Sequence, residues 1–373
     1  MGMDNRKGAF WLQLHEHYKR NGYVATDDNS DDSSSSSSFD PAQFSLCYDR
    51  QPLSMDLTTG VGSGTLTLGG TDPLLHNTEM VYAQNIAPKE GWYTVRVRAM
   101  FLRTRGGTLS EGPFVRDGED AQEAVEYVRV KAKESALNGQ LSKERGVIVD
   151  SGTTDTYLPQ SVKAEFDAAW KAATGDDGTY HNNAIEMTPE QMKSLPTILI
   201  VLQGHPSNDD GSTAIGMTRS HEAMFKEVVV EGEDSLEAVS DSDVIVAIPP
   251  THYMEESHQE PGKYTARVYF TERFGAQSIL GSNILMGHEV NFDVGRGRIG
   301  IAESHCNYET YVQERDAQLQ QGGGEGAGGQ QEQQVAPAEV AMEEAGATAE
   351  GGDAAAEEQS VGGDLAASGW ALR

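Results

Sequence analysis

Residues 147–159 read Val-Ile-Val-Asp-Ser-Gly-Thr-Thr-Asp-Thr-Tyr-Leu-Pro, and no other stretch restricts the fold as tightly. Three β-branched residues, Val147, Ile148 and Val149, are stiff at the first side-chain torsion and favour extended backbone. They deliver Asp150 into a turn at Gly152, where the missing Cβ permits a tight bend. Hydroxyls at Ser151, Thr153 and Thr154 surround the carboxylate. This is how a chain holds an acid for proton transfer with water. By itself the pentapeptide Asp-Ser-Gly-Thr-Thr is a weak signal, because its residues are common in turns and an Asx turn accounts for it. The motif occurs once in the 373 residues.

The flanking sequence is built from short extended runs separated by glycine. Phe44–Tyr48 alternates, Gly64–Gly70 alternates and ends on a Gly pair, and Trp92–Phe101 makes a longer run. Further runs are Thr197–Leu202, Val244–Ile248 and Tyr264–Phe270. Ser278–Gly281 leads through a short helix-like stretch to His288–Asp293. A turn at Gly295–Gly297 then gives Arg298–Ala302, which predicts a hairpin. Clear helical spacing is confined to Ala9–Lys19, with Phe10, Trp11, Leu14 and Tyr18, and to Ser161–Trp170, with Ser161 as the expected cap. The expected class is mainly β, with short helices.

Other segments are too polar to build a core. Residues 31–43 are acidic and Ser-rich, with six serines from Ser33 to Ser38. The charged, helix-prone stretch near 110–145 reads as a surface insertion between strands, and 222–243 as a second, acidic insert. From 314 to 373 there are 12 acidic and 2 basic residues among Gly, Ala and Gln, which predicts a disordered acidic tail.

The formal net charge is −30. Phosphates would be repelled, so neither nucleic acid nor an anionic membrane is an expected partner. The charge fits an acidic secreted or lumenal protein. No run of 18 apolar residues exists, and Met1–Gly8 lacks an apolar signal core, which leaves a cytosolic protein or a missing N-terminus. No Cys/His group has zinc spacing, so no metal is expected. The two cysteines, Cys47 and Cys306, are either one long-range staple or two separate buried thiols, and spacing leaves both open.

Several of these stretches together resemble the C-terminal lobe of the pepsin-like aspartic peptidase family, peptidase A1. Val147–Pro159 looks like its second active-site loop, and Ile279-Leu280-Gly281 is similar to the segment that crosses beneath that loop. Val290-Asn291-Phe292-Asp293 through Arg298–Ser304 resembles the closing hairpin. Phe44–Cys47 and Leu66–Asp72 look like the entry into the lobe. The resemblance spans roughly residues 1–306 and implies a pepsin-like, β-barrel-type lobe. It implies an aspartic endopeptidase acting on a polypeptide through water, without a cofactor.

Position by position, the resemblance makes Asp150 a catalytic aspartate. It makes Gly152 the turn glycine beside the substrate backbone, Thr153 the hydroxyl that grips the opposite loop, and Thr154 a substrate contact. Asp155 is expected to be solvated, while Tyr157 and Leu158 pack the lobe. In membrane-anchored and plant-type members, cysteines at the places of Cys47 and Cys306 pair. The resemblance therefore implies a disulfide and an oxidising compartment, in the secretory pathway, extracellular or lumenal. Residues 1–30 look like the end of an N-terminal lobe, and 44–313 like the C-terminal lobe. No Asp-Thr-Gly or Asp-Ser-Gly precedes residue 150. One dyad carboxylate is then expected in a missing N-terminal lobe in cis, and a membrane anchor in a longer chain would follow the acidic tail. The alternatives are a homodimerising half-enzyme and a non-catalytic binding module.

Overall fold

The computed structural model describes residues 43–49, 64–88, 91–104, 126–139, 146–175, 180–208, 213–215, 242–257, 259–272 and 278–307, together with residues 13, 17, 222, 225, 226 and 240. They belong to a unit spanning residues 1–322. The segments expected over 1–30, 31–43 and 314–373 lie outside the described residues, apart from Gln43 and the helical, exposed Gln13 and His17.

Among the described residues, eighteen strands of two to eight residues form four sheets. The first sheet is antiparallel throughout, in the order Thr65–Leu68, Gln43–Cys47, His288–Asp293, Arg298–Glu303, Val81–Gln84. It contains the predicted closing hairpin, whose turn is fastened by the Arg296 N–H donating to Asp293 Oδ1 at 3.0 Å. The second sheet runs Ala214–Ile215, Val244–Ile248, Thr197–Leu202, Val97–Thr104, Glu126–Arg129. The third is a small sheet of Met254–Glu256, Lys263–Ala266 and Ile185–Glu186. The fourth carries the Asp150 motif. The class is mainly β, as expected. None of the sheets closes on itself, because three to five short strands are too few to curl around a filled interior.

Two runs that look like single strands are each divided between sheets. Thr94–Val95 pairs with Val147–Ile148, but from Val97 onward the chain pairs with Thr197–Leu202. The break falls at Arg96, whose side chain turns outward to Glu134 at 3.3 Å. Lys263–Ala266 and Val268–Phe270 likewise serve the third and fourth sheets, with Arg267 between them. Period-two alternation shows that a run is extended, but it does not encode which strand lies beside it.

Thr197–Leu202 and Val244–Ile248 are buried along their whole length. Their unbroken apolar sequence follows from burial on both faces. Ile198, Ile200 and Leu202 enter the main core, while Leu199 and Val201 enter a second cluster with Phe101, Ile245 and Phe225. Phe225 is fully buried, so the expected acidic insert near 222–243 supplies a core residue. The insertion expected near 110–145 also needs correction. Glu126–Arg129 pairs with Phe101–Thr104, Leu137 is buried, and Asn138 grips the Val97 N–H and carbonyl at 2.8 and 2.7 Å. The local helix-forming residues are overridden by an available sheet edge.

Helix Lys163–Thr174 buries Phe166, Ala169 and Trp170 at helical spacing and stops at Gly175, which adopts φ 65°. Its start differs from expectation: Ser161 lies within the 3-10 turn Gln160–Val162, and Val162 is the uncapped first boundary.

Cys47 and Cys306 form a disulfide between residues 259 positions apart, with Cα atoms separated by 5.1 Å and Leu75 packed beside them. It joins the strand Gln43–Cys47 to the segment beyond the last strand. Replacing Cys306 by Ser should lower unfolding stability by up to about 5 kcal/mol, read from denaturant melts under oxidising conditions, with no difference once the parent is reduced.

Arg103 is 4% exposed, and among the described residues its guanidinium meets only the Thr197 hydroxyl, 3.5 Å from Nη2. Burial holds its proton affinity below the ordinary arginine range, and nearby Tyr127 offsets this only partly. A buried cation without a carboxylate costs stability. Arg103→Met should therefore raise unfolding stability by about 1 kcal/mol or more, read as a higher thermal midpoint. A lower midpoint would mean that the guanidinium stabilises the fold.

Candidate active site

The fourth sheet is ordered Val268–Phe270, Thr156–Leu158, Ile279–Leu280, Val147–Val149, Thr94–Val95. Ile279–Leu280 lies between the two strands that flank the Asp150 loop. It is parallel to the first (Ile148↔Ile279, Val149↔Leu280) and antiparallel to the second (Tyr157↔Ile279). A segment more than 100 residues downstream therefore runs beneath the loop.

This crossing fixes the loop backbone. The Asp150 N–H donates to Leu280 O at 3.0 Å, the Ser282 N–H to Thr153 O at 2.7 Å, and the Asn283 N–H to Thr154 O at 3.1 Å. Gly281 sits between them. A Cβ there would fall 2.1 Å from the Asp155 carbonyl oxygen and 2.7 Å from that of Thr153.

Below the loop is a polar network. Thr156 Oγ1 donates to Asn283 Oδ1 at 2.9 Å and accepts from the Gly281 N–H at 3.3 Å. Asn283 Nδ2 donates to Arg267 O at 3.1 Å, and the same carbonyl accepts the Thr156 N–H at 3.2 Å. Thr156 and Asn283 are buried, so each polar atom needs a partner, and these bonds supply them.

The Asp150 carboxylate is held from within its own loop. Oδ1 accepts from the Gly152 N–H at 2.9 Å and Oδ2 from Thr153 Oγ1 at 2.6 Å. Bonds of this kind fix the plane of the carboxylate. Gly152 and Thr154 are exposed, whereas Asp150, Ser151 and Thr153 are half-buried. Tyr48, next to the disulfide, reaches the loop from the side, its hydroxyl 3.4 Å from Ser151 O. The group can orient a water and accept its proton. Among the described residues no second carboxylate is bonded to Asp150.

The expected residues are therefore together: Asp150, Gly152, Thr153 and Thr154 form one turn. Thr153 Oγ1 donates to Asp150 Oδ2. Leu158 is buried, and Tyr157 stacks on Tyr269 with centroids 5.5 Å apart. Asp155, expected to be solvated, pairs through Oδ1 with Arg267 Nε. Arg267 also pairs with Glu255 through Nη1. Sequence reasoning did not find Thr156, Arg267 or Asn283. The available signal was a lone arginine in an otherwise apolar extended run, since a charge on a buried face requires a counter-charge.

Cys47 and Cys306 belong to the disulfide and not to this turn. Among the described residues no group of three or more His, Cys, Asp or Glu is placed to hold a metal, and no helix is long and apolar enough to cross a membrane.

The family model for eukaryotic aspartyl protease matches residues 106–304, more than half of the chain. The matched span contains the Asp150 loop, the crossing segment and the closing hairpin; the entry strands Gln43–Cys47 and Thr65–Leu68 precede it. No curated protein matches the chain.

The geometry at Gly281 gives a direct test. Gly281→Ala should displace the loop at a cost of about 3 kcal/mol or more, because backbone atoms on both sides cannot yield as a side chain would. The variant should show a lower denaturation midpoint and early loss of amide-exchange protection at Thr153 and Thr156.

Proposed function

The chain belongs to the eukaryotic aspartyl protease family, and from that premise we propose that it is one half of an aspartic endopeptidase, with Asp150 as one of the two catalytic carboxylates. Peptide hydrolysis by this route needs two acids that share a proton, one ionised to take a proton from water and one protonated to polarise the scissile carbonyl. Both Asp150 oxygens accept hydrogen bonds within the loop, which holds the carboxylate in one plane. The observation that carries the reading is this doubly bonded carboxylate above a crossing strand. Asp-Ser-Gly occurs nowhere else in the sequence and Asp-Thr-Gly does not occur. The second acid is thus assigned to an N-terminal lobe in cis.

Gly152, Thr153 and Thr154 line the substrate side in this reading. Gly152 and Thr154 offer exposed backbone and hydroxyl to an extended peptide, and Thr153 orients the acid. The substrate is a polypeptide, and the chemistry uses water without a metal or cofactor. The Cys47–Cys306 bond supports an oxidising compartment of the secretory pathway or the cell exterior.

The test is cleavage of a denatured protein at mildly acidic pH by the chain alone and by the chain joined to a candidate N-terminal lobe. The chain alone should be inactive. The joined protein should cleave, should be blocked by a peptide carrying a hydroxyl in place of the scissile carbonyl, and should lose at least 1,000-fold in kcat on Asp150→Asn. Cleavage that survives Asp150→Asn would remove Asp150 from catalysis. Activity of the isolated chain as a dimer in sedimentation would transfer the second acid to a second copy.

A further inference from the structure

Asp150 to Thr153 form one reverse turn, closed by the Thr153 N–H donating to Asp150 O at 3.3 Å. Ser151 and Gly152 are its central residues. In a trans peptide the carbonyl and the N–H point in opposite directions from one rigid plane, and no described peptide bond is cis. The N–H of the central peptide, on Gly152, donates to Asp150 Oδ1 at 2.9 Å. The carbonyl of the same peptide, on Ser151, accepts from the Tyr48 hydroxyl at 3.4 Å. Tyr48 therefore reaches the carboxylate through a single peptide unit.

The central peptide is the part of a turn that can rotate. Rotating it converts one turn type into another, and the rotated form needs positive φ at the second central residue, which glycine adopts freely. Gly152 is not among the glycines with positive φ, so the turn stands in the unrotated form. Rotation would carry its N–H away from Asp150 Oδ1. Thr153 Oγ1 lies beyond this peptide and holds only Oδ2, so it does not prevent the rotation. The glycine that permits the tight bend thus leaves the orientation of this peptide weakly determined by the loop itself.

We propose that Tyr48 is a positioning residue for Asp150: its hydroxyl holds the Ser151–Gly152 peptide in the orientation that bonds the carboxylate. The proposal rests on the reading of Asp150 as a catalytic acid. Tyr48 is itself anchored twice. It follows Cys47 of the disulfide, and its carbonyl accepts the Gly287 N–H at 2.7 Å. It also forms a bridge with Met286, the residue after the short helix Ser282–Leu285. That helix begins with the Ser282 and Asn283 N–H groups that hold Thr153 O and Thr154 O. Anchor and loop are fixed to the same segment. The hydroxyl bond is long, so its contribution is modest, on the order of a fivefold preference between the two peptide orientations.

Tyr48→Phe keeps the ring and removes only the hydroxyl. In the chain itself, the Gly152 amide proton should shift toward the value of an unbonded amide as the rotated population rises about fivefold. The Ser282 amide, bonded to Thr153 O, should stay in place. A Cβ at Gly152 meets only Asp150 Oδ1, at 3.3 Å, and disfavours the rotated form. In a Gly152→Ala background the same Tyr48→Phe change should therefore leave the amide of residue 152 unmoved. In the joined two-lobe enzyme Tyr48→Phe should lower kcat about twofold to fivefold with KM unchanged, since the hydroxyl orients the acid and does not touch substrate. A merely structural role would lower the denaturation midpoint and leave kcat of the folded protein as it was. An unmoved Gly152 amide, an equal shift in the Gly152→Ala background, an unchanged kcat or an effect confined to KM overturns the proposal. If the amide responds as expected while Asp150→Asn leaves cleavage intact, the catalytic assignment fails and the hold on the peptide stands. If Asp150→Asn abolishes cleavage and the amide does not respond to Tyr48→Phe, the reverse holds.

Discussion

Ile279-Leu280-Gly281 lying between Val147–Val149 and Thr156–Leu158 is the contact on which the site depends. Ordering a residue costs about 1–2 kcal/mol of backbone entropy, so a free loop of this length would not keep a carboxylate in one plane. The crossing segment supplies the compensation through bonds at Asp150, Thr153, Thr154 and Thr156. It comes from far along the chain and can take this place only when the rest of the lobe has formed. Leu280 packs in the main core with Ile198, Ile200 and Leu202 of the second sheet, and the Cys47–Cys306 bond ties the strand Gln43–Cys47 to the segment after Arg298–Glu303.

A buried arginine, Arg103, and a half-buried one, Arg267, show how differently one residue type can be used. Arg103 lies on the second-sheet strand Val97–Thr104 and among the described residues meets a single threonine hydroxyl, whereas Arg267 faces two carboxylates and carries two further bonds on its carbonyl. Paired charges can offset their desolvation, and unpaired ones do not. The difference separates a stability cost from a device. Arg267 joins three pieces of the fold, the third sheet, the fourth sheet and the loop, and does so at the point where one extended run passes between sheets.

Much of this is legible in the sequence, for physical reasons. Thr197–Leu202 and Val244–Ile248 can be read to the residue, because unbroken apolar runs bounded by polar residues have few other uses in a β protein. The Asp150 turn is legible because its glycine and hydroxyls are local requirements. The breaks at Arg96 and Arg267 are not, since alternation gives the face of a strand but not its neighbour. Phe225 and Glu126–Arg129 are hidden in charged stretches, where one or two well-placed apolar residues complete a sheet that the surrounding composition disguises. Asp155 is misread for a related reason: its partner lies 112 residues away, and no spacing rule connects them.

The described bonds leave one face of the Asp150 turn open. Leu280, Ser282 and Asn283 close the loop from below, and Tyr48 reaches it from one flank. Asp155 is engaged with Arg267 and is not available as a partner. The backbone of Gly152 and the side chain of Thr154 remain exposed, and Gly152 has no side chain to obstruct an approach. In the proposed reading, a carboxylate that shares a proton with Asp150 approaches over that exposed face. The proton-sharing distance of about 3 Å requires a second loop as tightly turned as this one, because a bulky residue at its apex would hold the acids apart. In this chain the triplet Asp-Ser-Gly occurs only at residues 150–152.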